Sequence, residues 1–238
     1  MADLIAALQA AAGSGGKGAT VAYVTAFLTN SITSIDISDP NSLTELDSLS
    51  NSNLNGAIGI AVDPTNQVAY VAAYSVDSIT SIDISDPSSL TELDSLSSSN
   101  LNGGAGVALD LTNQVAYVTT NLADSITSID ISDPSNLTEL DSLSNSNLNL
   151  AQELVLDLTN QVAYVAAGIS DSITSIDISD PSNLTELDSL SSSNLNGARE
   201  VALDITNQIA YVASSVAGSI TSIDISDPSN LTELDSLS

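Results

Sequence analysis

From Thr20 onward, apolar residues come in short runs separated by clusters of Asn, Ser, Asp, Gly and Pro. The run Val21-Ala22-Tyr23-Val24 is matched by Val68–Val71, Val115–Val118, Val162–Val165 and Ile209–Val212. A decapeptide follows, Ser31-Ile32-Thr33-Ser34-Ile35-Asp36-Ile37-Ser38-Asp39-Pro40, and it returns letter for letter from Ser78, Ser125, Ser172 and Ser219, every 47 residues. Then comes Leu43-Thr44-Glu45-Leu46-Asp47-Ser48-Leu49-Ser50, repeated from Leu90, Leu137, Leu184 and Leu231. The cycle closes with Ile58–Asp63, whose counterparts are Ala105–Asp110, Gln152–Asp157 and Arg199–Asp204. Runs rich in β-branched residues between turn-forming clusters predict strands, four to a period.

The turns have their own chemistry. Asp63-Pro64-Thr65-Asn66 places Asp first and Pro second, which suits a type I turn, and Asp39-Pro40 fits another. The run Leu43–Ser50 is the most polar of the four, as expected of an outermost strand whose acidic side chains discourage edge pairing. Five periods of 47 residues make 235 of the 238, which leaves no room for a second domain. The expected architecture is therefore all-β, a five-bladed β-propeller forming one domain over residues 1–238. Its blades fall at about 1–50, 56–97, 103–144, 150–191 and 197–238. A β-solenoid is the rival, but a solenoid needs polar capping units. The fifth unit is as regular as the others, which argues for a closed ring.

Residues 1–19 depart from the repeat. Taken locally, Asp3 followed by Leu4–Ala12 and then Gly13 reads as a helix with an N-cap and a C-terminal Gly. A helix of that length is marginal alone. The ring pulls the other way, because the first blade has only this segment to supply its innermost strand. An empty seat would expose apolar area worth several kcal/mol at about 25 cal/mol per Å². We therefore expect a strand at roughly Ile5–Ala12, joined through a Gly13–Gly18 hairpin loop to Ala19–Thr25.

Composition narrows the chemistry. Thirty acidic residues stand against Lys17 and Arg199, for a net charge of −28, so nucleic acid and anionic membranes are excluded as partners. No apolar run approaches the ~20 residues of a membrane span. Leu4–Ala12 lacks the basic flank of a secretion signal. Cys and His are both absent, which removes thiolate nucleophiles, disulfides, the usual zinc sites and every His-dependent triad. Gly13-Ser14-Gly15-Gly16-Lys17-Gly18 lacks the spacing and the following helix of a phosphate-binding loop. No cofactor is expected, with calcium as the one possible ion.

The run Ser-Ile-Asp-Ile-Ser-Asp-Pro, preceded in each unit by Ala-Tyr-Val, resembles the LVIVD-type propeller repeat. Ala-Tyr-Val-Thr at Ala22 and Ala116 is also similar to the YVTN-type repeat. The resemblance spans about residues 20–238 and implies a propeller, often on the cell surface or exported, without transferring any catalytic residue. This chain departs from the pattern in having Ser-Ile-Thr-Ser-Ile where that family has Gly and bulkier aliphatics.

Comparing the five copies with one another locates the variation. It falls in the connection between the second and third strands, with Phe27, Leu28, Tyr74, Asn121, Leu122, Ile169 and Val216, and at the start of the first strand, with Ile58, Gln152, Glu153, Arg199 and Glu200. In an up-and-down blade both segments lie at one end of the sheet, so they map to one rim of the ring. That rim is the candidate binding surface, unless these loops vary only because nothing constrains them. Asp63, Asp110, Asp157 and Asp204 end successive first strands and would form a ring of oxygens suited to Ca²⁺, or else cap their own turns. The residues thus point to a non-catalytic scaffold, not an enzyme, that binds an unidentified ligand or protein at an extracellular or cell-surface location. A self-assembling building block is the first alternative. A synthetic repeat protein is the second, although its one-sided charge is unlike a designed surface.

Overall fold

The computed structural model of the chain describes residues 8–11 and 20–238. They form five four-stranded antiparallel sheets, each a simple meander, so the molecule is a five-bladed β-propeller. Blade one holds β1 (Leu8–Ala11), β2 (Val21–Ala26), β3 (Ser31–Asp36) and β4 (Thr44–Ser50). Blade two holds β5 (Ala57–Asp63), β6 (Val68–Ala73), β7 (Ser78–Asp83) and β8 (Thr91–Ser97). Blade three holds β9 (Gly104–Asp110), β10 (Val115–Thr120), β11 (Ser125–Asp130) and β12 (Thr138–Ser144). Blade four holds β13 (Ala151–Asp157), β14 (Val162–Ala167), β15 (Ser172–Asp177) and β16 (Thr185–Ser191). Blade five holds β17 (Ala198–Asp204), β18 (Ile209–Ser214), β19 (Ser219–Asp224) and β20 (Thr232–Leu237). No helix among the described residues is long and apolar enough to cross a membrane.

The first strand of each blade is innermost, where β5, β9, β13 and β17 pack side by side, and the acidic fourth strand is outermost. Leu8–Ala11 takes the innermost seat of blade one, paired antiparallel with β2 from Leu8↔Val24 to Ala11↔Val21. The strand expectation therefore holds over those residues. The rest of Ile5–Ala12, and the Gly13–Gly18 connection, lie outside the described residues.

Because strand side chains alternate, each blade that stands between two others buries two faces, one against each neighbour. Tyr70 and Ile79 of blade two pack against Val107, Ala116, Val118 and Ile129 of blade three. The same arrangement recurs between blades one and two, three and four, and four and five. Ile79, Ile126 and Ile173 are fully buried, each a stabilisation of about 1.5–3 kcal/mol. The connector between blades adds to the seam. A 3₁₀ turn such as Ser52–Leu54 or Ser99–Leu101 is capped by the preceding Asn51 or Ser98 side chain and drives its Leu to zero exposure. The residue opening the next blade is left-handed, which Gly56, Gly103 and Gly197 adopt freely. Leu150 occupies that seat in blade four at φ 59°.

Polar groups latch each seam in the same way. Ser34, Ser81, Ser128 and Ser175 donate from their hydroxyls to the carbonyls of Pro87, Pro134, Pro181 and Pro228 in the following blade. The carboxylates of Asp47, Asp94, Asp141 and Asp188 accept from the backbone N–H of Leu90, Leu137, Leu184 and Leu231, each at 2.7 Å. Glu92, Glu139, Glu186 and Glu233 accept from connector Asn or Ser side chains of the preceding blade.

Ring closure is where the structure departs from the sequence expectation. Among the described residues no such latch joins blade five to blade one, and no fifth apolar cluster forms. Tyr211 and Ile220 of blade five are 42% and 58% exposed, whereas their equivalents Tyr70 and Ile79 are fully buried. On blade one, Leu43 is 64% exposed against 5% for Leu90. The described residues thus form an arc whose first and fifth blades each keep a sheet face uncovered. A 47-residue period specifies a blade but not the angle between blades.

Candidate functional site

The two variable segments meet at one end of the sheet in blades two to five. The backbone N–H groups of Tyr74, Asn121, Gly168 and Ser215 donate to the carbonyls of Gly56, Gly103, Leu150 and Gly197, tying each second-to-third-strand turn to the start of its own innermost strand. Leu28, Leu122, Ile169 and Val216 stand exposed at the turn tips. Phe27 and Tyr74 are half-buried and tilted against each other, with ring centroids 6.0 Å apart across the seam of blades one and two.

The start of the innermost strand carries the more consequential variation. In blades two and three the second variable position is Gly59 or Gly106. A Cβ on Gly59 would collide with the backbone carbonyl of Ala105, and one on Gly106 would lie 2.9 Å from that of Gln152. Adjacent innermost strands therefore touch backbone to backbone there. Thr119 stitches the same place, donating to the Gln152 carbonyl and accepting from the Gly106 N–H. In blades four and five the equivalent residues are Glu153 and Glu200, preceded by Gln152 and Arg199. The inner wall thus changes from bare backbone to carboxylates within one turn of the arc.

Glu153 borders an open cavity of about 480 Å³ lined by innermost strands of blades two to four. Val107, Leu109, Leu154 and Leu156 supply apolar walls, Leu111 and Leu158 lie at the far end, and Glu153 is the one ionisable side chain among those lining it. Removal from water pushes the Glu153 carboxyl up to about 7, and the nearby Glu200 carboxylate adds to the effect. A hydrogen bond with the Leu154 backbone opposes it in part. A carboxyl that titrates near neutrality can both take and return a proton at working pH. Arg199 and Glu200 are exposed beside the open face of blade five.

The four turn aspartates are engaged locally. Asp63 Oδ1 accepts from the N–H groups of Thr65 and Asn66 at 2.8 and 3.0 Å, and Asp63 Oδ2 accepts from the Asn66 amide at 2.8 Å. Asp110 and Asp157 repeat all three bonds, and Asp204 repeats those to Asn207. Among the described residues no group of three acidic side chains is arranged to hold a metal ion.

Fold and site together define a propeller with a carboxyl-bearing cavity against its axis. Residues 61–238 match the lactonase family of seven-bladed β-propellers, and the chain belongs to that family. Residues 21–50 match the LVIVD repeat, in agreement with the resemblance seen in the decapeptide. No match is found among curated proteins. Among solved structures the chain is similar to a periplasmic gluconolactonase of Pseudomonas aeruginosa, at 12% identity and a TM-score of 0.78 over 93% of this chain and 68% of that one. A protein of Lactobacillus plantarum gives 18% identity and a TM-score of 0.79 over 92% and 68%. A functionally unknown protein of Desulfotomaculum acetoxidans gives 12% and 0.76 over 98% and 69%.

Family membership overturns the expectation that the chain is not an enzyme. That expectation rested on missing His and Cys, but hydrolysis of an activated ester needs only a positioned base and water. Glu153 and Glu200 stood out in sequence only as variable rim positions. The signal available was that Glu stands in blades four and five at the repeat position held by Gly59 and Gly106 in blades two and three.

Proposed function

We propose that the chain hydrolyses an uncharged sugar-derived lactone in the cavity beside Glu153. Water attacks the ring carbonyl while the Glu153 carboxylate takes its proton. The carbonyl–ring oxygen bond then breaks, and the same proton passes to the departing alkoxide. The observation that carries this reading is the single carboxyl, pushed up to about 7, in an otherwise aliphatic cavity of about 480 Å³. That volume suits a small ligand. Family membership and the gluconolactonase of similar fold support the choice of a cyclic ester. A net charge of −28 disfavours phosphorylated or carboxylated substrates, so neutral gluconolactone is the first substrate to try. An exported or surface location, and a binding role for the apolar rim tips, belong to the same proposal; fractionation of the source cells tests the location.

The test is a pH-stat assay of the full chain with glucono-δ-lactone, corrected for spontaneous opening. Saturable hydrolysis lost in Glu153→Gln supports the assignment. No rate above the spontaneous one, or full activity in the variant, overturns it.

A further inference from the structure

The cavity wall is aliphatic, in a chain whose net charge is −28. Along the innermost strands one repeat position is held by Val62, Leu109 and Leu156, and the position two residues on by Pro64, Leu111 and Leu158. Val62, Leu109 and Leu156 pack against the seams, yet each keeps part of its surface on the cavity. Leu111 and Leu158 belong to none of the four apolar clusters; each is 40% exposed and lines the same cavity. Single exposed aliphatics are ordinary, but a contiguous set along one cavity marks a surface for an apolar ligand.

The lining has a second property. Apart from Glu153 it consists of Ala, Val and Leu, so no other side chain in it can form a hydrogen bond. A polyhydroxylated ring pressed on this wall would strip water from its hydroxyls and find no side-chain partner for them. An alkyl chain has no such groups to desolvate. From Glu153 to Leu158 is five residues, up to ~16 Å at about 3.3 Å per residue of strand. That exceeds a single lactone ring. Because the cavity is open, ring hydroxyls can stay in water while a chain follows the wall.

We propose that the ligand seated beside Glu153 carries an alkyl chain, which lies along Leu109 and Leu156 and reaches Leu111 and Leu158. The inference rests on the reading of Glu153 given above for the identity of the ring. The substrate is then a lactone with an aliphatic substituent, opened by the same addition of water, and the product is the hydroxy acid with its chain retained.

The test compares hydrolysis by the full chain of δ-valerolactone, a bare ring, and δ-dodecalactone, the same ring with a heptyl group. Each fully buried CH₂ is worth about fourfold in affinity, so even on an open wall the heptyl group should raise kcat/KM by roughly tenfold or more, through KM. Replacing both outer leucines, Leu111→Asn with Leu158→Asn, should shrink that ratio by roughly threefold or more. Both are exposed and outside the apolar clusters, so the exchange does not threaten the fold. A second measurement needs no turnover: δ-valerolactam and its heptyl-substituted form, whose amide ring is not hydrolysed, are titrated into the chain with methyl-labelled leucine. Tighter binding of the heptyl lactam, with shifts at the Leu156 and Leu158 methyls, supports the inference even where no lactone is hydrolysed, and in that case only the role of Glu153 as base fails. A ratio near one among hydrolysed lactones, a preference untouched by the double substitution, or a heptyl lactam bound no more tightly than the bare one overturns the inference. Hydrolysis of glucono-δ-lactone lost in Glu153→Gln would then leave the reading of the base standing.

Discussion

Replacing Glu153 by Gln keeps the shape of the cavity wall and removes its titrating group. The folded chain holds this carboxyl at about 7, against an ordinary value of 4.5. Between those values the unfolded chain releases the proton while the folded chain keeps it, so stability falls as pH rises through this window. A displacement of about 2.5 pKa units corresponds to about 3 kcal/mol, fully expressed above pH ~7 and absent below ~4.5. The glutamine variant escapes the penalty. It should match the wild type at pH 4 and exceed it by about 3 kcal/mol at pH 8. Urea unfolding followed by circular dichroism at intervals across that range measures the difference directly. The turn aspartates do not confuse the reading. Asp36, Asp86, Asp204 and Asp224 are held low by their Ser or Asn partners, so their contribution is present at higher pH and lost only on acidification below the usual carboxylate range. A wild-type-to-variant difference that stays constant with pH, or a variant less stable at pH 8, would refute the claim that the cavity desolvates Glu153.

The seam latches predict an asymmetry: Asp141→Ala removes the acceptor of the Leu184 N–H and should cost about 1–3 kcal/mol, whereas Asp235→Ala should cost almost nothing in the isolated chain. Paired denaturation curves decide, and equal losses would argue against the latch. Gly59→Ala should disrupt the seam of blades two and three, because the new Cβ meets the fixed Ala105 carbonyl; a melting temperature within a degree or two of wild type would contradict the close approach. With a net charge of −28, melting temperature should rise with NaCl as charges are screened over ~10 Å at 0.1 M, and a flat or falling series would show that self-repulsion is minor.

The blade itself was legible in the sequence, since the β-branched runs, the Asp-Pro turns and the acidic fourth run each map onto a strand or turn of the expected kind. Even the N-terminal conflict came out through tertiary demand: Leu8–Ala11 is strand despite an Ala-rich helical signal, because β2 offers an otherwise unpaired edge. What the repeat could not disclose is anything set by relations between blades. Ile32 and Ile220 lie in identical decapeptides, yet one is fully buried and the other largely exposed. The same holds for the site. Glu153 reads in sequence only as a variable rim position, and only the aliphatic strands around it turn it into a group that titrates near neutrality.

The identity of the seams bears on how the chain reaches this state. Ser34 finds Pro87 at 53 positions' distance, Asp47 finds Leu90 at 43 and Asn51 finds Glu92 at 41, and later seams repeat the same separations. A closed ring would have demanded in addition a contact between residues such as Pro40 and Ser222, 182 positions apart (222 minus 40). Among the described residues no such contact is present, and their seams close loops of about one repeat. Topologies of that kind fold by propagation from neighbour to neighbour. The second blade and the fifth thus face the same search, and each can settle on its predecessor as soon as its own strands have left the ribosome.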